Sequence, residues 1–448
     1  NPSKEVLKHL RKMLSYTDKS KQYQLKRMSK NTWSRNSPKY AEIQKQVYGS
    51  LITDIDDHTI SIPSGFAYML DNLTPDSIVD NRCETGDKIS LPWKNKPFDL
   101  RDYQEEGAQC WQNNWRGLLC LATGLGKTLA SIHAIRRIGK KTLIVCPSKS
   151  IANQFYIQLC EAFGDHRIGY MGGGKCTIKD ITVGIVGTVK NNLSKLQKHG
   201  LGVVVYDETH HIAADTFYAI ADELGDVGRM YGLTATDFRS DGKDIMITAG
   251  VGPVLLRKDV VWGVANRWLA EPYFLIRNVD TPEKNFPNDK IKNYKFHILN
   301  NTDFKKTIER DITSFINKGM SVLCLVDEVA HGEEISNSLG IPFATGKDKQ
   351  SEKYIDDLND GKIPGLIGTD SKLGEGTDTK NVDVLVMANF VASRGPVMQC
   401  IGRGLRKTST KDKCIIVDYR PTGSHMLARH TDTRVKIYRE ITSNVKEI

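Results

Sequence analysis

The stretch Leu121–Thr128, LATGLGKT, follows the apolar run Leu118–Ala122 and precedes the helical pattern LASIHAIRRI. Strand, glycine turn and helix in that order are what a phosphate-binding loop requires. Gly124 and Gly126 let backbone N–H groups approach phosphate oxygens, with Ala122, Thr123 and Leu125 completing the loop. The helix N-terminus adds the positive end of its dipole. Lys127 is expected to reach the β- and γ-phosphates, and the Thr128 hydroxyl to ligate Mg²⁺. The general pattern G-x-x-x-x-G-K-[ST] begins with Gly where this chain has Leu121. Every phosphate-contacting position is still present, so the expectation is a site for ATP and Mg²⁺.

Downstream, VVVYDETHH (Val203–His211) places Asp207 and Glu208 at the end of a run that reads as a buried parallel strand. A carboxylate at the carboxyl end of such a strand lies beside the phosphate loop in open α/β sheets. Asp207 would hold Mg²⁺ through water, and Glu208 would orient and deprotonate the attacking water. His210 and His211 lack the Cys or carboxylate companions of a zinc site.

Further out, strand-length apolar runs alternate with helical patterns between residues 98 and about 240. The candidates are Leu118–Ala122, Thr142–Cys146, Thr182–Val186, Val203–Tyr206 and Met230–Thr234. A second series follows at Val322–Val326, Ile341–Ala344, Leu366–Gly368, Val384–Ala388 and Cys414–Val417. Such alternation implies βαβ units and parallel sheets, and hence two similar α/β lobes. Asp280–Asn301, rich in Lys, Asn and Pro, reads as a loop or insertion.

The chain has 448 residues and a formal charge of +10, of which +9 lies in residues 1–50: twelve Lys/Arg against three acids. A one-sided basic segment points to a polyanion. Val6, Leu7, Leu10, Met13 and Leu14 recur there at helical spacing, while LITDIDDHTISIPSGFAYML alternates like short strands. Residues 1–90 read as a small basic α/β domain, 91–270 as one lobe and 271–448 as the other. No run reaches the ~18 apolar residues of a membrane helix, and no secretory signal is visible. The nine cysteines are scattered and never in C-x-x-C spacing, which speaks against a disulfide framework. Together these imply no membrane partner and a cytoplasmic protein; the start at Asn1 rather than Met suggests processing or trimming.

With both nucleotide elements in hand, the chain resembles the superfamily-2 helicases, and the resemblance continues in order through seven motifs over residues 98–420. It implies two tandem RecA-like lobes with ATP in the cleft between them. FDLRDYQEEGAQ resembles the element in which an Arg and a Gln contact adenine, here Arg101 and Gln104. IVCPSKSIANQF, with Ser148, resembles motif Ia, and IVGTVKN, with Gly187 and Thr188, motif Ib; these residues, with Thr369, would contact a DNA strand. LTATDFR resembles motif III, whose Thr234 and Thr236 would couple hydrolysis to movement together with His210; Asp237 stands where the family commonly has Pro. IGTDSKLGEGTDT is similar to motif V, bringing Gly376 and Asp378 to the nucleotide. QCIGRGLR matches motif VI, with Gln399 and with Arg403 and Arg406 as arginine fingers, worth about 10³–10⁵ in rate.

Asp-Glu-Thr-His argues against the RNA-handling DEAD-box branch. YMGGGK, DEVAHGEEI and GRGLRK…CIIVDY look like the UvsW-type phage branch-migration helicases, which implies the host cytoplasm. YMGGGK also reads as a flexible hairpin tip.

The expectation is an ATP-dependent DNA helicase acting, as a monomer, on forks and Holliday junctions in recombination or replication. The family implies 3′→5′ polarity. A double-strand translocase without strand separation, a non-catalytic nucleic-acid scaffold, and activity on RNA–DNA hybrids are the alternatives. Tyr16, Tyr23, Trp33 and Tyr40, set among the N-terminal lysines, could stack on unpaired bases.

Overall fold

The computed structural model describes residues 4–29, 37–55, 60–70, 84–213, 215–236, 242–287, 289–373 and 379–448. Two large sheets organise it, one in each compact unit. The first unit comprises Asn1–Leu121 with Gly126–Arg257, the second Ala122–Leu125 with Lys258–Ile448.

The N-terminal segment supplies short strands β1 (Ser15–Thr17), β2 (Tyr48–Ser50), β3 (Thr53–Asp54) and β4 (Ile60–Ser61). They form two antiparallel pairs, β1–β2 and β3–β4. Helices Lys4–Met13, Lys19–Met28 and Pro38–Lys45 lie around them. The alternation read over residues 51–70 yields only the two-residue strands β3 and β4, followed by a 3-10 turn at Ser64–Leu70. Pleated pairing is lost there because Pro63 and Gly65 interrupt the ladder.

The segment is fastened to the first lobe. Leu14 and Phe66 bury against Ala249 of helix Asp244–Val251. Asp18, 3% exposed, caps helix Lys19–Met28 by accepting from Lys21 N and pairs with Lys243 at 2.9 Å. Burial works against charge on Asp18, but Lys243 and the Lys21 amide outweigh it and hold the carboxyl below its ordinary range.

The first large sheet contains β5 (Arg116–Leu121), β6 (Thr142–Cys146), β7 (Ile168–Gly172), β8 (Lys175–Thr177), β9 (Ile181–Ile185), β10 (Val203–Tyr206), β11 (Arg229–Thr234) and β12 (Val254–Lys258). Their order is β12-β5-β11-β10-β6-β9-β7-β8. All five expected strands are present with ends shifted by no more than two residues. The sheet is parallel from β5 through β7, and β8 returns antiparallel at the edge. The hairpin β7–β8 is an addition that a purely parallel reading lacks. Leu143, Val145, Val204, Met230 and Leu118 pack one face against Phe217, Ile220 and Ile247.

The second sheet contains β13 (Glu271–Val279), β14 (Val322–Val326), β15 (Phe343–Ala344), β16 (Gly365–Thr369), β17 (Val384–Ala388), β18 (Lys413–Pro421) and β19 (Val445–Glu447), in the order β15-β16-β14-β17-β18-β13-β19. Every pairing in it is parallel. β14, β16 and β17 are buried along their whole length, as strands covered by helices on both faces must be. Asp280–Asn301 is not merely a loop: it holds an α-helix at Lys290–Tyr294 that continues as a π-turn through Leu299. Its polar composition hid this, because the helix is capped by Asp289 and pinned by buried Asn293 and His297 rather than by an apolar stripe.

Candidate functional site

Register brings the chemistry of the first lobe to one edge. Thr234 pairs with Cys120, and Tyr206 with Gly232, so β5, β10 and β11 end side by side. The residues that follow β5 and β10, and those ending β11, therefore share the carboxyl edge of the sheet, where α/β folds place ligands.

Leu121 ends β5 with its side chain fully buried, and its carbonyl accepts from Lys127 Nζ at 3.3 Å. The departure from the phosphate-loop pattern thus falls on a core position of the strand rather than on the turn. The turn itself needs glycine twice: Gly124 has φ 89° and Gly126 φ 75°. A Cβ on Gly126 would lie 2.4 Å from Gln104 Nε2. Lys127 and Thr128 open the helix Lys127–Ile138.

Arg101 and Gln104 sit at the start of helix Asp102–Asn113. Arg101 N donates to Gln104 Oε1 at 3.0 Å, and the Arg101 guanidinium donates to Tyr103 Oη at 3.0 Å. Gln104 is therefore fixed in a capping box as well as turned toward the loop.

Asp207 N donates to Val145 O, and Asp207 Oδ1 accepts from Glu208 N at 2.9 Å. Glu208 has φ 47°, the left-handed region, at a cost of about 1–2 kcal/mol for a residue with a Cβ. Glu208 Oε1 lies 3.9 Å from Lys127 Nζ. Glu208 Oε2 is buried with no hydrogen-bond partner among the described residues; His210 Nδ1 stands 3.5 Å away. A strained backbone holding a half-satisfied carboxylate is a signature of a working site rather than a structural one. Burial, with Asp207 and Glu208 adding to it, pushes the Cys146 thiol well up. That thiol stays protonated.

The three residues expected to couple hydrolysis to movement meet. His210 Nδ1 is 3.2 Å from Thr234 Oγ1, which donates to Thr236 O at 2.6 Å and accepts from Thr236 N at 3.2 Å. With the hydroxyl proton given to Thr236 O, the histidine must donate, which assigns the Nδ1–H tautomer. His210 is thereby occupied as a hydrogen-bond link. Reading the sequence passed over Thr209, whose fully buried hydroxyl lies 2.9 Å from both Tyr206 O and Leu233 O. It braces the ends of β10 and β11. A threonine directly after an Asp-Glu pair was the available signal.

Ser148 caps helix Lys149–Phe163 by accepting from Ile151 N. Gly187 and Thr188 lie in the short helix Val186–Lys190, and nothing would meet a Cβ on Gly187 within 4 Å.

In the second lobe, helix Arg394–Gly404 carries Gln399, half-buried, and Arg403, 3% exposed. Arg406 follows it and donates to Thr379 O at 3.2 Å, while Thr379 Oγ1 reaches Arg403 O at 3.5 Å. Thr369 ends β16, buried. Gly376 and Asp378 lie outside the described residues, as do Trp33 and Asp237.

Residues 97–239 match the family described as "Type III restriction enzyme, res subunit", and that span holds the phosphate loop, the Asp-Glu pair and the Thr234–Thr236 link. The chain belongs to the superfamily-2 helicases. The putative mitochondrial ATP-dependent helicase irc3 of Schizosaccharomyces pombe is 28% identical over 355 residues, covering 71% of this chain and 57% of its own length. The DNA 3′-5′ translocase XPB2 of Sulfurisphaera tokodaii is 23% identical, over 77% of this chain and 87% of that protein. A probable helicase, D10, of Escherichia phage T5 is 27% identical over 70% of each. This superfamily-2 chain thus spans little more than half of the fission-yeast relative.

Among solved structures, Saccharomyces cerevisiae Dbp5 bound to RNA and ADP BeF3 aligns over 78% of this chain and 89% of its own, at 14% identity and a TM-score of 0.57. That likeness is one of fold, and it identifies the two parallel-sheet lobes as RecA-like. Phage T4 UvsW aligns over the full chain at 18% identity with a TM-score of 0.44. Among the described residues no helix is long and apolar enough to cross a membrane.

Proposed function

We propose that this superfamily-2 helicase is an ATP-driven DNA motor that remodels branched DNA, moving forks and four-way junctions. The observation that carries the reading is the continuous link from the strained Glu208 through His210 to Thr234 and Thr236, beside Lys127 and the two left-handed glycines. A hydrolytic site that touches a second, movable element is what a motor needs and a binding scaffold does not.

The donor set fits a nucleotide with a divalent cation. Two glycines open the loop to phosphate, Lys127 is only loosely engaged, and Asp207 is a buried carboxylate next to the Thr128 helix start. Among the described residues no three His, Cys, Asp or Glu side chains form a metal cage. A Mg²⁺ here would take Thr128 and Asp207 and complete its shell with phosphate oxygens and water, as Mg²⁺ commonly does. Bound there, it would neutralise charge developing on the phosphates. The chain's own residues do the rest. Lys127 neutralises the terminal phosphates, Glu208 accepts the proton of the attacking water through its unpartnered Oε2, and Arg403 and Arg406 supply cations for the transition state.

DNA as substrate is supported by the printed names of the relatives, and the choice of branched DNA by the basic N-terminal segment. Tyr23 is 70% exposed on its helix among Lys19, Lys26 and Arg27 and is free to stack; Tyr16 instead covers Gly49. The name of the XPB2 relative favours a second reading, a duplex translocase without strand separation. ATPase stimulation, strand displacement and triplex displacement would be measured on single strands, duplex, forks, four-way junctions and RNA–DNA hybrids. Displacement with preference for junctions supports the proposal. Triplex displacement without strand separation selects the second reading, and no DNA-stimulated hydrolysis defeats both.

A further inference from the structure

Three separate stretches of the first lobe contain lysines and no acidic residue. They are Cys146–Ala152, the hairpin Ile168–Thr177, and Val186–Lys198, and they carry Lys149, Lys175, Lys190, Lys195 and Lys198. All five lysines are exposed. None has an ion-pair partner among the described residues, whereas Lys127, Arg137, Lys140, Lys141, Arg167, Arg229 and Lys243 of the same lobe are each paired with a carboxylate.

The fold draws these stretches together. Lys149 Cε lies 4.0 Å from where a Cβ on Gly173 would stand, so the hairpin tip reaches the start of helix Lys149–Phe163. On the hairpin's far strand, Cys176 Sγ contacts Asn192 Oδ1 at 3.6 Å, and Lys195 Nζ donates to the same oxygen at 3.1 Å. Asn192 Nδ2 in turn donates to Thr188 O. β8 is the edge of the sheet, exposed along its whole length. At the tip, Gly173 and Gly174 have φ 57° and 83°, and a Cβ on Gly174 would meet nothing within 4 Å.

Edge strands are commonly guarded by a lysine, and that accounts for Lys175 alone. It does not account for four more on two other elements, nor for the absence of every carboxylate. Unneutralised like charges repel one another and are retained where a partner of opposite sign arrives. A side-chain-free tip beside them lets that partner's backbone come close.

We infer that this lysine face, with the hairpin Gly172–Lys175 as its centre, binds the sugar–phosphate backbone of one nucleic-acid strand. The inference rests on the proposed DNA-motor reading and extends its contacts from Ser148, Gly187 and Thr188 to these five lysines and the glycine tip. The face reads no bases, since lysine ammonium groups are point charges that position a strand without specifying its sequence.

The test is the salt dependence of binding to oligodeoxythymidine, for the full chain and for a variant carrying K175A, K190A, K195A and K198A. Each lysine that meets a single-strand phosphate contributes ~0.7 to the slope of log K against log salt. The slope should therefore fall by about 3 in the fourfold variant. A thermal unfolding midpoint equal to the parent's shows that the variant is folded, which exposed lysines without partners should allow. Labelling of exposed Cys176 by a maleimide, read against C176S, should slow when oligodeoxythymidine is bound. An unchanged slope in the folded variant, or Cys176 labelling indifferent to the oligonucleotide, overturns the inference. A parent chain that binds no oligodeoxythymidine at all fails the motor reading itself, which the variant comparison keeps separate.

Discussion

Each lobe carries a buried acid on or at the end of a central parallel strand, and the two are treated in opposite ways. Asp418 of β18 is fully buried and fully answered: Arg434 Nε and Nη2 each donate to it at 2.8 Å, Tyr438 Oη at 2.8 Å and Tyr419 N at 2.8 Å. Glu208, just beyond β10, sits on a left-handed backbone with one oxygen unpartnered among the described residues. Carboxylates of the same chemistry thus serve as a lock in one place and as a tool in the other. What separates them is whether the protein has completed their hydrogen bonds.

The comparison is most sharply broken or upheld by paired substitutions. Glu208→Gln should lower ATP hydrolysis by roughly 10²–10⁴, the usual worth of a positioned base, with nucleotide binding retained. Its unfolding midpoint should not fall, because no partner is lost. A destabilised Glu208→Gln would mean that the residue is structural. Arg434→Met leaves Asp418 buried without its cation and should cost about 3–5 kcal/mol in urea unfolding. A loss below about 1 kcal/mol would show that Tyr438 and the Tyr419 amide suffice.

His331 probes the second lobe from another side. It is fully buried, its Nε2 has no hydrogen-bond partner among the described residues, and burial pushes it down to about 4. Its folded value is below its unfolded one, so it contributes stability that is present above pH 6.5 and lost as pH falls toward 4. The loss should approach about 2–3 kcal/mol across that window. His331→Phe should flatten that stretch of the stability curve, and an unaltered acid slope would place the titration elsewhere.

The smallest effect concerns the link. Thr234→Val removes the hydroxyl shared by His210 and Thr236, worth about 1 kcal/mol of stability. Its signature should be functional: ATP hydrolysis persists while strand displacement falls. Parallel losses in both would show that Thr234 only shapes the hydrolytic site.

Much of the fold was open to a reader of the sequence because parallel strands buried on both faces are written as short continuous apolar runs. Val322–Val326 and Val203–Tyr206 were legible to the residue. β13 and β19 were not. β13 alternates buried and exposed residues, and β19 is three residues at an edge, so neither has a run to read. The helix and π-turn within Asp280–Asn301 escaped because buried Asn293 and His297 hold them through polar contacts.

The candidate site divides in the same way. The chain by itself determined that Lys127, Thr128, Asp207 and Glu208 are present on a loop and a strand end, because phosphate chemistry requires those groups at those spacings. Only the tertiary structure decided that Thr209 braces two strand ends, that Thr234 meets His210, and that five lysines from three stretches share one unpaired face. Those facts depend on which strands become neighbours and in what register. Local spacing along a chain carries no information about that.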